Sequence, residues 1–313
     1  MQAPPDYTQL IDAPTWAFIR ATEAAYPPNT ANLTIRDQRA IYDRMCRAFD
    51  RGYPAGIMAQ DRNFGGVPCR LYAGVGAVVV YFHGGGFVVG GLHSHDDVCA
   101  ELCAATGFTV VSVDYRLSPE HPHPAAFDDA IAATQAVAAA FPGPVLLAGD
   151  SAGGNLAAAT VHAIGRGGAL GIVGQVLIYP SLGGDTDAGS YLTHAHAPML
   201  TRDDVLYYHD IRHAGPTPKG DPTSAPLQDR DFTQVPPTVA FAAECDPLAD
   251  DAQTYARAIR AAGGRAHAVT EAGLVHGYLR ARVSVPRAAD SFARITAALT
   301  ALASGEWPYK DTP

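Results

Sequence analysis

Residues 145–155 read Val-Leu-Leu-Ala-Gly-Asp-Ser-Ala-Gly-Gly-Asn. An apolar run with the character of a buried strand stops at Gly149-Asp150, and a helical pattern begins at Ala152, so the chain must turn sharply about Ser151. Gly-Asp-Ser-Ala-Gly (149–153) fits G-x-S-x-G in the setting its physics demands, a strand running straight into a helix. Such a turn is crowded, and Gly149, Ala152 and Gly153 supply the small residues it needs. The helix behind Ser151 offers free backbone N–H groups to developing negative charge. A chance match would put a small residue there for the turn alone, so the reading rests on what surrounds it.

Outward from this point the chain alternates strands and helices. Candidate strands cover 69–74, 77–83, 108–114, 144–150, 175–181, 237–244 and 265–271, several of them unbroken apolar runs of the kind covered on both faces. Candidate helices cover Ser94–Thr106, Ala125–Phe141, Ala152–Ile164, Pro247–Ala262 and Arg287–Ala303. This alternation predicts a doubly wound α/β sheet in a single domain spanning 1–313. Two stretches break the rhythm, residues 1–55 and 182–226, and are expected to form a helical cap over the C-terminal edge of the sheet.

Bulk properties narrow the function. With 22 Lys and Arg against 31 Asp and Glu, the 313 residues carry a net charge of −9 and no basic stripe, which argues against nucleic acid as a partner. No apolar run approaches the ~20 residues a membrane span needs, so no membrane insertion is expected. The first ten residues lack a basic stretch followed by an apolar one, and a cytoplasmic address is expected. Five scattered cysteines, 46, 69, 99, 103 and 245, read as reduced thiols rather than a disulfide framework.

The segment Phe82-His83-Gly84-Gly85-Gly86-Phe87 follows an apolar strand. A run of glycines lets the backbone approach a ligand with its N–H groups exposed, and in ester-cleaving serine hydrolases such a loop supplies an oxyanion hole. The candidate donors are the N–H groups of Gly84, Gly85 and Ala152. His83 reads as a loop anchor. A serine hydroxyl needs a base, and the chain order on this architecture is Ser, acid, His. Asp246 stands just past a strand, with Glu244 as runner-up, while Asp250 and Asp251 suit a first helical turn. His276 follows the last predicted strand in a glycine-flanked loop. The candidate triad is therefore Ser151, Asp246 and His276. The pairs His93/His95, His121/His123 and His194/His196 have no carboxylate set at ligand spacing, so neither a metal nor any other cofactor is expected. Trp16, Phe87, Met199, Leu200, Tyr207 and Tyr208 are positional candidates for the pocket lining.

Five segments in order, HGGGF (83–87), DYRLSPEHPHPAA (114–126), GDSAGGNLA (149–157), DPLADD (246–251) and HGY (276–278), resemble the hormone-sensitive-lipase-like esterases, bacterial family IV. The resemblance implies an α/β-hydrolase fold with a mostly parallel eight-stranded sheet and a helical cap. It also implies cofactor-free hydrolysis of short-acyl carboxylic esters and, as an expectation, a homodimer. Ser118, His123 and Tyr278 depart from the usual pattern without removing a catalytic group. The reading is a serine carboxylesterase acting on short- to medium-chain acyl esters. An amidase or formamidase using the same triad is the first alternative, and a non-catalytic small-molecule-binding relative the distant one.

Overall fold

Eight strands form one sheet in the computed structural model, which describes residues 5–27, 30–165 and 170–309. In chain order they are β1 (Ala59–Phe64), β2 (Val67–Tyr72), β3 (Val78–Phe82), β4 (Thr109–Val113), β5 (Val145–Asp150), β6 (Ile172–Ile178), β7 (Thr238–Cys245) and β8 (Ala266–Val275). Across the sheet they run β1-β2-β4-β3-β5-β6-β7-β8. β2 is antiparallel to both β1 and β4, and every other pair is parallel. The expected α/β-hydrolase sheet is therefore present.

The unbroken apolar strands have a simple cause. On β3, Val79 and Tyr81 enter one core with Val98, Leu102, Ile295 and Leu299. Val78, Val80 and Phe82 enter the other with Ala130, Leu156 and Tyr255. Both faces are covered, so alternation has no solvent side to mark. Each fully buried Val, Leu or Phe side chain contributes about 1.5–3 kcal/mol. The covering helices are α4 (Asp96–Thr106) and α10 (Pro286–Ala303) on the first face, and α5 (Ala125–Ala140), α6 (Ala152–Thr160) and α9 (Ala249–Ala261) on the second.

β1 escapes the apolar pattern because it is an edge strand whose four central residues are exposed. Its signature lies in the turn instead: Gly65 and Gly66 both have positive φ, 63° and 88°, as a two-residue hairpin loop with two left-handed positions demands.

Each of the two irregular stretches carries helices joined by irregular chain. The first holds α1 (Tyr7–Leu10), α2 (Ala13–Glu23) and α3 (Ile35–Phe49), and the second α7 (Gly189–Thr193) and α8 (Arg202–His213). Residues 1–4 and 28–29 of the expected cap lie outside the described residues. Asp12 caps α2 by accepting the Thr15 N–H, Thr34 caps α3 through Asp37 N–H, and Thr201 with Asp204 closes a capping box on α8. α2 sends Phe18 and Ile19 into the core, whereas Tyr42, Met45 and Cys46 of α3 pack on Val88 and Val89. A cross-link ties the two helical pieces, with Gln38 Nε2 donating to Tyr207 Oη at 2.9 Å.

Candidate active site

Strand β5 ends at Asp150, and Ser151 takes φ 54°, ψ −116° before α6 begins at Ala152. Non-glycine residues held at such angles cost on the order of 1–3 kcal/mol, so the surroundings must enforce the turn. The Ser151 N–H donates to Ile178 O at 2.9 Å, fixing the elbow to the end of β6. Gly153 allows α6 to press on the neighbouring strand: a Cβ there would overlap the Phe82 carbonyl.

The elbow directs Ser151 Oγ to 2.9 Å from His276 Nε2, and His276 Nδ1 lies 2.7 Å from Asp246 Oδ2. Asp246 is fully buried just past β7, where its other oxygen accepts the Leu248 N–H at 2.9 Å. Its ring partner comes from the turn after β8, with Gly277 at φ 74°. Glu244 is occupied elsewhere, accepting the Gly273 N–H at 2.6 Å. The Tyr179 ring packs against His276 with centroids 4.9 Å apart.

The glycine loop calls for one correction. Gly84 N–H, expected in the oxyanion hole, donates to Asp150 Oδ1 at 2.9 Å and is buried away from the cavity. The carboxylate has taken the donor, so it is unavailable to a substrate oxygen. Gly85 and Gly86 line the cavity with Ala152, and among the described residues none of their three N–H groups meets an acceptor. The loop is held from behind. His83 Nδ1 meets Gly84 O at 2.9 Å, Tyr115 Oη donates to His83 O at 2.7 Å, and the two rings stack at 4.3 Å. Burial, helped by neighbouring His95, lowers the His83 pKa to about 3, so its role is to anchor as a neutral ring. Ser118 N–H donates to Phe87 O, and Arg39, ion-paired with Glu120, donates to Val88 O.

Asp150 is a residue of this site that sequence reasoning did not single out. Besides Gly84 it accepts from Tyr81 Oη at 2.8 Å and faces His95 Nε2 at 3.2 Å, with Tyr179 Oη at 3.4 Å. Burial alone would raise its pKa; His95 and the hydrogen bonds outweigh burial and hold the carboxyl well below its usual range. The signal was the acid immediately before the serine, within a strand otherwise wholly apolar.

Above the serine lies a cavity of about 810 Å³ between the sheet edge and the two helical stretches. All six positional candidates, Trp16, Phe87, Met199, Leu200, Tyr207 and Tyr208, line it. Tyr208 rests directly over Gly86, and the Arg212 guanidinium lies 3.6 Å from the Phe87 ring centroid, so α8 seats on the glycine loop. Tyr26, Tyr42, Met45, His196 and Arg280 join the wall from positions the periodicity did not single out. Three other histidines of the paired motifs have separate partners: His93 meets Asp43, His123 meets Asp221 and Thr223, and His194 meets Tyr7. The departures at Ser118 and Tyr278 are also partnered, Ser118 Oγ donating to His121 O and Tyr278 Oη bonding Ser291 Oγ. Among the described residues no helix is long and apolar enough to cross a membrane.

Comparison with known proteins agrees with this geometry. A family model described as alpha/beta hydrolase fold matches residues 79–280. Carboxylesterase NlhH of Mycobacterium tuberculosis is 39% identical over 235 residues, covering 71% of this chain and 72% of its own. Ethyl acetate hydrolase of Pseudomonas putida is 31% identical over 247 residues, 74% of this chain and 78% of its own. Among solved structures, a hyperthermophilic esterase from the archaeon Pyrobaculum calidifontis superposes with a TM-score of 0.86 at 30% identity, over 94% of this chain and 99% of that one.

Proposed function

The chain belongs to the alpha/beta-hydrolase-fold family, in its hormone-sensitive-lipase-like branch, and from that premise we propose a serine carboxylesterase that cleaves short- to medium-chain acyl esters through an acyl-enzyme on Ser151. The observation that carries the reading is the relay Ser151 Oγ to His276 Nε2 at 2.9 Å and His276 Nδ1 to Asp246 at 2.7 Å, opening on a cavity.

His276 Nε2 takes the hydroxyl proton as Ser151 Oγ attacks the ester carbonyl. Asp246 accepts the Nδ1–H, which fixes the tautomer and stabilises the imidazolium. The tetrahedral oxyanion is received by the N–H groups of Gly85, Gly86 and Ala152, an interaction worth about 10²–10³ in kcat per donor in comparable sites. The imidazolium returns its proton to the leaving alcohol, and a water deprotonated by the same nitrogen releases the acid. A volume of about 810 Å³ lies within the usual range for small-molecule sites, which supports acyl groups of modest length.

The test is hydrolysis of p-nitrophenyl esters from acetate to dodecanoate, alongside the matching anilides, with Ser151→Ala as the blank. Turnover is expected to peak from acetate to hexanoate and to fall by about 10⁶ in the variant, the scale for losing a triad nucleophile. Equal rates for the two proteins would overturn the role given to Ser151. Anilides cleaved faster than esters would restore the amidase.

A further inference from the structure

The cavity wall carries a charge that the ester chemistry leaves unused. Arg280 follows His276 by four residues, in the single helical turn Tyr278–Ala281, and lines the cavity. Its Nη2 donates to Tyr42 Oη, and the guanidinium carbon lies 5.0 Å from the Tyr42 ring centroid. The Cys46 thiol faces it as well. Both partners are neutral. Arg280 Nε is fully buried without an acceptor, and among the described residues Nη1 meets none either. Nη1 lies 3.6 Å from the point a Cβ on Gly277 would occupy, and Gly277 and Met199 beside it both line the cavity.

A guanidinium cannot discard its charge, so burying one without a counter-ion is expensive unless something compensates it. No carboxylate among the described residues forms an ion pair with it. Its field reaches Asp150, but the Asp150 oxygens are already held by Tyr81, Gly84 and His95. The acids on the cavity wall outside this cluster, Glu23 and Asp204, are exposed, and Asp204 is engaged in the cap of α8. What remains is a fixed cation whose Nη1 meets no acceptor among the described residues, on the wall of an esterase cavity and close to the turn that carries the catalytic base. A carboxylate suits such a cation, because it accepts charge-assisted N–H bonds from arginine.

Resting on the esterase reading, we propose that Arg280 is a specificity-determining residue: with Tyr42 Oη it forms an anion subsite, and the preferred substrates are esters bearing a free, ionised carboxylate. The subsite adds binding and orientation to the same acyl transfer and changes no step of it. Neutral esters enter the same cavity and leave the cation unpaired.

The experiment compares kcat/KM, by alkali titration at constant pH, for two matched sets. Monoethyl succinate, glutarate and adipate are set against ethyl butanoate, pentanoate and hexanoate, which places the charge on the acyl side. The butanoyl ester of 3-hydroxypropanoate against propyl butanoate places it on the alcohol side. Wild type is expected to cleave at least one charged ester as well as or better than its neutral partner. Arg280→Met should lower that charged-to-neutral ratio by about ten- to a hundredfold, the scale of a lost charge-assisted hydrogen bond, chiefly through KM. Arg280→Lys should keep part of the preference.

A wild-type enzyme that cleaves every charged ester a hundredfold more slowly than its neutral partner overturns the proposal, whether or not Arg280→Met folds. So does an Arg280→Met ratio equal to wild type. Failure of the esterase reading looks different, because then wild type cleaves neither set.

Discussion

Replacing Asp150 tests whether the oxyanion loop is set from behind by a carboxylate. Its two oxygens serve Tyr81 Oη at 2.8 Å, Gly84 N–H at 2.9 Å and His95 Nε2 at 3.2 Å, all fully inside the protein. Asp150→Ala strands these donors, and each buried unsatisfied group costs about 1–3 kcal/mol. The total reaches roughly 3 kcal/mol at its lowest, a large part of a typical domain stability of about 5–15 kcal/mol. Asp150→Asn is the sharper probe. Its amide oxygen still accepts from Tyr81 and Gly84, but charge assistance, about half the strength of such bonds, is lost. The expected cost is about 1–2 kcal/mol in unfolding free energy. Displacing Gly84 also turns the N–H groups of Gly85 and Gly86 off the oxyanion, so kcat should fall about tenfold in Asp150→Asn and about 10²–10³ in Asp150→Ala. KM should change less, because the loop acts on the transition state.

There is a pH signature as well. The Asp150 pKa is depressed on folding, so its contribution to stability is present above the usual carboxylate range and lost as pH falls through its folded value. Asp150→Asn should therefore flatten the acid limb of Tm against pH below about 4. The assay is kcat and KM on p-nitrophenyl butanoate, with urea unfolding and Tm on the same samples. A folded Asp150→Asn with kcat within twofold of wild type and an unchanged Tm refutes the argument.

Asp251 titrates in the opposite sense. Burial raises its pKa to about 7 even though it accepts the Leu182 N–H at 2.7 Å. With the folded value above the unfolded one, the Asp251 contribution to stability is fully present in acid and declines between about pH 4 and 7, by an order of a few kcal/mol. Asp251→Asn, which keeps an acceptor for Leu182, should remove that slope in Tm measured from pH 4 to 8, and an identical slope in the variant counts against it. Gly153→Ala brings a Cβ onto the Phe82 carbonyl and should cost several kcal/mol in urea unfolding, with activity lost in proportion or worse. A Gly153→Ala protein of wild-type stability would mean that the elbow relaxes freely. Leu200→Trp fills part of the cavity and should lower kcat/KM for hexanoate about tenfold relative to acetate; an unchanged ratio would remove Leu200 from the acyl path.

How much of this was legible divides along physical lines. Strands buried on both faces announce themselves, because nothing polar survives there, and β3 to β7 follow the apolar runs within a few residues. β1 carries no such mark, since an exposed edge strand is held by its partner's backbone, and only its Gly-Gly turn betrays it. β8 extends to Val275 past the glycine that interrupts its pattern, with Glu244 holding the Gly273 N–H across the irregular pairing. The nucleophile, acid and base are legible because each must follow a strand end, a constraint that chain order expresses directly. The oxyanion donors are not, because three successive glycines look alike in sequence while only one orientation of the loop is built. Asp150 chooses it: by taking the Gly84 N–H, the carboxylate leaves the next two to face the cavity. The same reasoning extends to Arg280. A residue whose role depends on what fails to contact it leaves no periodicity and no motif, and only the assembled wall reveals the unpaired charge.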